Sequence, residues 1–278
     1  MLKQRIITAM WLLPLALLCI FIPVRGAYYP IWLGVQGLVL ALFVWGGVEW
    51  AHLMRFKSLI SRFFIAGLTI VLGASAVFFD KIPAIFVWTA AFLWWAIGLY
   101  TVLRYQKKPF SRLGGKGAAL LMGACLLVLP YFSFLYLKTV TPQHNWLLYA
   151  VLVVWCADTG AYFSGKKFGR RKLADKISPG KTREGFIGAL FSVWVMAAII
   201  YLWQDFKGIS FVQWMLWMTG IALASVLGDL LESLFKRMQG VKDSGKALPG
   251  HGGILDRIDS LTAALPVAAM TQWIMLAK

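Results

Sequence analysis

A chain of 278 residues that is 60% apolar and only 14% charged, with a mean hydropathy of +0.73, departs widely from a water-soluble domain, where about a quarter of residues are charged. That composition excludes a water-soluble protein and requires most of the chain to be dissolved in lipid. The net charge of +17 comes with no recognised nucleic-acid module, so anionic lipid headgroups, not nucleic acid, are the expected partners.

About 20 apolar residues cross the hydrocarbon as a helix. Nine stretches qualify, at 6–24, 28–48, 59–79, 82–103, 116–137, 145–164, 184–204, 211–232 and 254–276. The predicted fold class is therefore an all-α polytopic membrane protein of about nine transmembrane helices. Lys3 and Arg5 before the first stretch imitate a secretory signal, but Val24 and Gly26 make a poor cleavage pair and eight further spans follow, so it is read as a retained helix. Put the N-terminus and the loops after the second, fourth, sixth and eighth spans on one side. All of the 28 basic residues then fall on that side except Arg25, Lys81, Lys138, Lys207 and Lys278. The positive-inside rule places the N-terminus in the cytoplasm and the C-terminus outside. The compact length and lack of a transit sequence favour a bacterial inner (cytoplasmic) membrane.

Cys19, Cys125 and Cys156 lie in separate spans without paired spacing, which predicts buried structural thiols and neither a disulfide framework nor a thiolate metal site. Of the eleven acidic residues, only Glu49 and Asp80 precede Asp158. Function is therefore expected in residues 141–278, a catalytic region with cytoplasmic loops 164–184 and 233–253, and residues 1–140 are expected to be scaffold. Glu49 and His52 have a metal-like spacing but no second copy, and are read as an interfacial pair.

The 164–184 loop crowds basic residues around Ser178-Pro179-Gly180-Lys181-Thr182. Its Gly-Lys-Thr imitates the end of a P-loop, but Asp175 stands where that motif needs glycine and no strand is evident before it, so the loop is read as a phosphate-contacting flap. Next come two carboxylate pairs at i, i+3 spacing, Asp229 with Glu232 and Asp256 with Asp259, at facing ends of the eighth and ninth spans. A carboxylate at the bilayer centre costs about 2.5–3.5 kcal/mol. Asp158 approaches from the sixth span. Such oxygen clusters suit Mg²⁺ shared with substrate phosphates; intramembrane ion pairs are the alternative for Asp158 and Glu232. Pro249-Gly250-His251-Gly252-Gly253 precedes the ninth span, where backbone N–H groups at a helix start favour an anion. His251 there contacts phosphate, orients a carboxylate or caps the turn.

From Ser233 through Phe235-Lys236-Arg237, Lys242-Asp243, Gly245 and Leu248-Pro249-Gly250-His251-Gly252-Gly253-Ile254 to Asp256-Arg257-Ile258-Asp259, the chain resembles the signature of the membrane phosphatidate cytidylyltransferases, or CDP-diacylglycerol synthases. The resemblance extends in motif terms over roughly residues 150–278. It implies the reaction CTP + phosphatidate → CDP-diacylglycerol + diphosphate, dependence on Mg²⁺ and a homodimer. On this reading Asp229, Asp256 and Asp259 face the metal with Asp243 nearby. Lys236, Arg237, Lys242 and Arg257 hold the substrates' phosphates. His251, Gly252 and Gly253 line the triphosphate, and Ser178 and Lys181 close over it. A different lipid phosphate is the nearest rival acceptor. An ion-coupled transporter is the rival of another class, disfavoured because the charges gather at one face.

Overall fold

The computed structural model describes residues 14–56, 67, 84–110, 114–139, 145–204, 206, 208–245, 247 and 252–276. A helical stretch at 14–21 and a 3-10 turn, Gly26–Tyr28, lead into α1 (Tyr29–Leu53). There follow α2 (Ala84–Lys107), α3 (Lys116–Thr139), α4 (Trp146–Phe168), strands β1 (Lys172–Ala174) and β2 (Ser178–Thr182), α5 (Arg183–Trp203), α6 (Phe211–Met238) and α7 (Leu255–Leu276). Helices α1 to α6 have the length and apolar composition to cross a membrane, and α7 adds 22 residues with its charged side chains at Asp256, Arg257 and Asp259, near its start. The protein is thus a polytopic helical membrane protein. Of the predicted spans, 59–79 (Gly67 apart), residues 6–13 of the first and 82–83 of the fourth lie outside the described residues.

Several helices run a turn or more past their predicted ends, and two departures bear on the site. The predicted eighth span ends at residue 232, whereas α6 continues to Met238 and carries Lys236 and Arg237 as helix, not loop. The extension buries Leu234 and Phe235, and Lys236 pairs with Glu232 one turn earlier, so its charge no longer terminates the helix. Within the predicted 164–184 loop, β1 and β2 form an antiparallel hairpin, with Lys172 opposite Thr182 and Ala174 opposite Ser178. It is the only sheet among the described residues.

Small residues decide how closely the helices approach. In lipid no hydrophobic force draws helices together, so close packing and interhelical hydrogen bonds must. A Cβ on Gly160 of α4 would stand 2.6 Å from the Gly188 carbonyl of α5, and Ser192 of α5 donates to the Cys156 carbonyl at 2.7 Å. A Cβ on Gly228 of α6 would stand 2.5 Å from the Asp259 carbonyl of α7. That contact sets Asp229 beside Asp259. Gly228→Ala must therefore push α6 off α7, and the expected cost is about 1–3 kcal/mol of overpacking, read as a lowered unfolding temperature in detergent.

Candidate active site

The C-terminal ends of α4 and α6 meet the N-terminal ends of α5 and α7 at one end of the bundle, with the hairpin laid against them. Between them lies a cavity of about 400 Å³ lined by Asp158 and Lys166 of α4, Lys181 of β2, Asp229 of α6 and Ser260 of α7. Lys181 Nζ lies 2.6 Å from Asp229 Oδ2, and Ser233 donates to Asp229 Oδ1 at 3.3 Å. Asp158 and Asp259 are each close enough for their charges to act on Asp229. Three carboxylates from three helices thus face one lysine from the hairpin.

Local structure fixes that lysine. Thr182 ends β2 and caps α5, its hydroxyl accepting the Gly185 N–H at 3.1 Å. Glu184 accepts the backbone N–H groups of Arg170 and Arg171 at 3.0 and 3.2 Å, tying the end of α4 to the start of α5. Arg237 donates to the Ile177 carbonyl at 3.1 Å and to the Val241 carbonyl at 3.3 Å, so it clamps the hairpin to the end of α6. Ser178 sits at the far end of β2 from Lys181 and is absent from the cavity lining.

A second cluster lies one turn further along α6. Lys236, 8% exposed, is 2.6 Å from Asp256 Oδ1 and also pairs with Glu232, which is 1% exposed. The other oxygen of Asp256 accepts from Ser244 N at 2.9 Å, Ser244 Oγ at 3.1 Å and Gly253 N at 2.8 Å. Asp256 is therefore saturated by protein donors. Gly252 has φ +83, and a Cβ there would stand 2.7 Å from Asp256 Oδ2, so only glycine suits this turn. Lys242 and Asp243 are exposed and line a separate open cleft of about 1050 Å³ with His52 and Gly245. Arg257 is exposed on the opposite side of α7 from Asp259. His251 lies outside the described residues.

Glu49 is not the interfacial partner of His52 that its spacing suggests. It is 6% exposed and accepts the N–H of Ile254 at 3.0 Å, the N–H of Leu255 at 3.0 Å and the Ser244 hydroxyl at 3.1 Å. A carboxylate from α1 thereby satisfies the first free N–H groups of α7, where the helix dipole favours negative charge. A Cβ on Gly245 would stand 2.6 Å from its Oε1. Nearby, Trp50 packs edge-on against Phe235 of α6 and donates to the Ala119 carbonyl at 2.9 Å, fixing α1 in place. The one available signal was scarcity, since Glu49 is one of two acids in the first half of the chain. Glu49→Ala strands the N–H groups of Ile254 and Leu255 at about 1–3 kcal/mol per unpaired group, while the Ser244 hydroxyl keeps Asp256 as its acceptor. We expect a lower melting temperature and faster hydrogen exchange over residues 244–255, with Glu49→Gln intermediate.

A bundle of helices long and apolar enough to cross a membrane, with carboxylates, a lysine-bearing hairpin and Gly252-Gly253 gathered at one end, defines an integral-membrane protein with a polar site at one end of its bundle. The sequence model of the cytidylyltransferase family matches residues 3–275. The chain is 42% identical over 274 residues to a phosphatidate cytidylyltransferase of Pseudomonas aeruginosa, covering 98% of this chain and 97% of that one. It is 38% identical over 289 residues to the protein of that name from Haemophilus influenzae, covering 96% of each. A Staphylococcus aureus protein of the same name is 41% identical over 179 residues, 60% of this chain and 64% of the relative. The chain belongs to the cytidylyltransferase family.

Proposed function

We propose that this protein transfers CMP from CTP to phosphatidate, giving CDP-diacylglycerol and diphosphate. Similarity along nearly the whole length to proteins named for that reaction carries the reading. The chemistry suits the site. Phosphatidate brings its own nucleophile, a phosphate monoester oxygen, so no activated serine or cysteine is needed. What the protein must supply is position and compensation for charge on the leaving diphosphate. Lys181, held in the cavity by Asp229, is placed to turn from that carboxylate to a triphosphate oxygen. Arg257 and Lys242 are cations of the glycine-rich region for the two substrates' phosphates, with His251, Gly252 and Gly253 on the nucleotide side. Asp243 stays near the site in this scheme.

Among the described residues no three carboxylate, histidine or cysteine side chains form a ready-made metal cage. Mg²⁺ does not demand one, because it is commonly held by one or two carboxylates with substrate phosphates completing the shell. Asp229, with Asp158 and Asp259 beside it, fits that requirement, and bound there Mg²⁺ would neutralise charge on the triphosphate. Asp256 fits it poorly, with both oxygens engaged by Lys236, Ser244 and Gly253. We assign Asp256, Lys236 and Arg237 to holding the loop and hairpin. Ser178 stays at the flap's edge.

The asymmetry of basic residues supports nine spans, a cytoplasmic N-terminus and an inner membrane, with CTP arriving from the cytosol. A homodimer belongs to the same reading. The reaction is tested by following diphosphate release from CTP in purified protein, with and without phosphatidate and with Mg²⁺ or EDTA. Release that needs both supports the proposal; release with only another lipid phosphate would replace the acceptor.

A further inference from the structure

A second cavity, of about 390 Å³, continues along the face of α4 that carries Asp158, away from the carboxylate end, and is closed by the face of α7 turned away from Asp259. Its volume is that of an ordinary ligand site, for which about 300–1,000 Å³ is usual. Leu42 and Phe43 of α1, Phe134 of α3, Val151 of α4 and Leu261 and Leu265 of α7 form its walls, and the 14–21 helical stretch completes them. Arg257 is the single charged residue in the lining, and among the described residues its side chain makes no hydrogen bond or ion pair.

The groove has a direction. α4 runs toward the carboxylate end and α7 away from it, so Trp155 and Arg257 mark the mouth, and Leu147 and Leu265 the floor. From Arg257 to Leu265 the rise is about 12 Å at 1.5 Å per residue. One leaflet of hydrocarbon is about 15 Å, half of the ~30 Å core. The groove is therefore nearly one leaflet deep, apolar to its floor and cationic at its mouth. Its mouth is also one helical turn from the catalytic cavity on both walls, because Trp155 precedes Asp158 by three residues and Arg257 precedes Ser260 by three.

We propose that this groove holds an acyl chain of the acceptor lipid, with Arg257 on the lipid's phosphate monoester at the mouth. The assignment rests on the reaction proposed above. It explains why α1 and the 14–21 stretch pack where they do: they wall the lipid's side of the site, as α5 and the hairpin wall the nucleotide's. It also makes the groove floor the element that reads acyl length.

The test uses the full chain reconstituted with phosphatidate carrying a photoactivatable diazirine along one acyl chain. The labelled residues are mapped, and CTP turnover is measured on the same samples. Labelling is expected on groove residues of α1, α3, α4 or α7. Leu42→Trp, which fills the groove, should cut that labelling and long-chain turnover about tenfold, the scale of an overpacked site. Turnover of dihexanoyl phosphatidate, too short to reach the floor, should be unchanged. Leu38→Trp, on the outward face of α1, should change neither. Labelling confined to outward faces and indifferent to Leu42→Trp would overturn the proposal and leave the groove to bulk lipid or to the chain's first residues. Equal loss on long and short lipids with labelling retained would also overturn it. Groove labelling without any turnover would keep the groove as a lipid site and overturn the reaction instead.

Discussion

Asp229→Asn is expected to lower CTP-dependent diphosphate release by about 10²–10³-fold or more, the scale of removing a preorganised electrostatic group from a transition state. Three features converge on this residue. It pairs with Lys181 across 2.6 Å, it shares a cavity with Asp158, and it stands beside Asp259 because Gly228 lets α6 and α7 touch. The amide keeps the shape and a hydrogen-bonding oxygen but loses the charge that binds a cation and holds Lys181 in place. Folding should survive, since the amide keeps the side chain's shape and the pair borders an open cavity, with about a quarter of each side chain exposed (27% and 26%). Near-native turnover in folded Asp229→Asn protein would remove Asp229 from the site. Asp259→Asn should behave alike, and a variant that binds CTP but no longer responds to Mg²⁺ in a thermal-shift titration would tie the loss to the carboxylates.

Lys236→Met is expected to destabilise the protein by about 3–5 kcal/mol, as when one partner of a buried ion pair is removed. Glu232 is then left buried without its cation, and Asp256 loses one of its four donors. Against a typical total of about 5–15 kcal/mol this is a large fraction. The cluster's neutral version separates stability from chemistry. Adding Glu232→Gln and Asp256→Asn to Lys236→Met should recover part of the lost melting temperature, because no uncompensated charge remains. Recovery of full turnover in that triple variant would show that the cluster does not hold the glycine-rich turn in its working shape. A melting temperature for Lys236→Met equal to that of the parent would contradict the buried triad itself.

The helical membrane character was legible because hydropathy is a local property, and spans such as 116–137 and 184–204 carry no charge past their first residue. Around the site the legible part was residue type. Asp229, Asp256, Asp259, Lys181 and the glycine-rich turn all attract attention as polar groups in an apolar chain. Their partners did not follow from spacing. Lys181 meets Asp229 through a hairpin too short and polar to show a strand pattern. Glu49 meets Ile254 and Leu255 across more than 200 residues, a distance over which no periodicity speaks. Lys236 and Arg237 are read from the sequence as phosphate-holding cations, and the carboxylates and carbonyls that meet them lie beyond what a hydropathy window registers. Nothing in the sequence marks Gly228, where a Cβ would stand 2.5 Å from the Asp259 carbonyl.

The central claim is that the nucleotidyl group, and not the terminal phosphate, ends on a membrane lipid. Purified protein supplied with phosphatidate, Mg²⁺ and CTP labelled at the α-phosphate should move the label into an organic-soluble product, and CTP labelled at the γ-phosphate should leave its label in aqueous diphosphate. Label from the γ-position in the lipid fraction would make the protein a lipid kinase. No transfer from either position, in folded protein, would contradict the account.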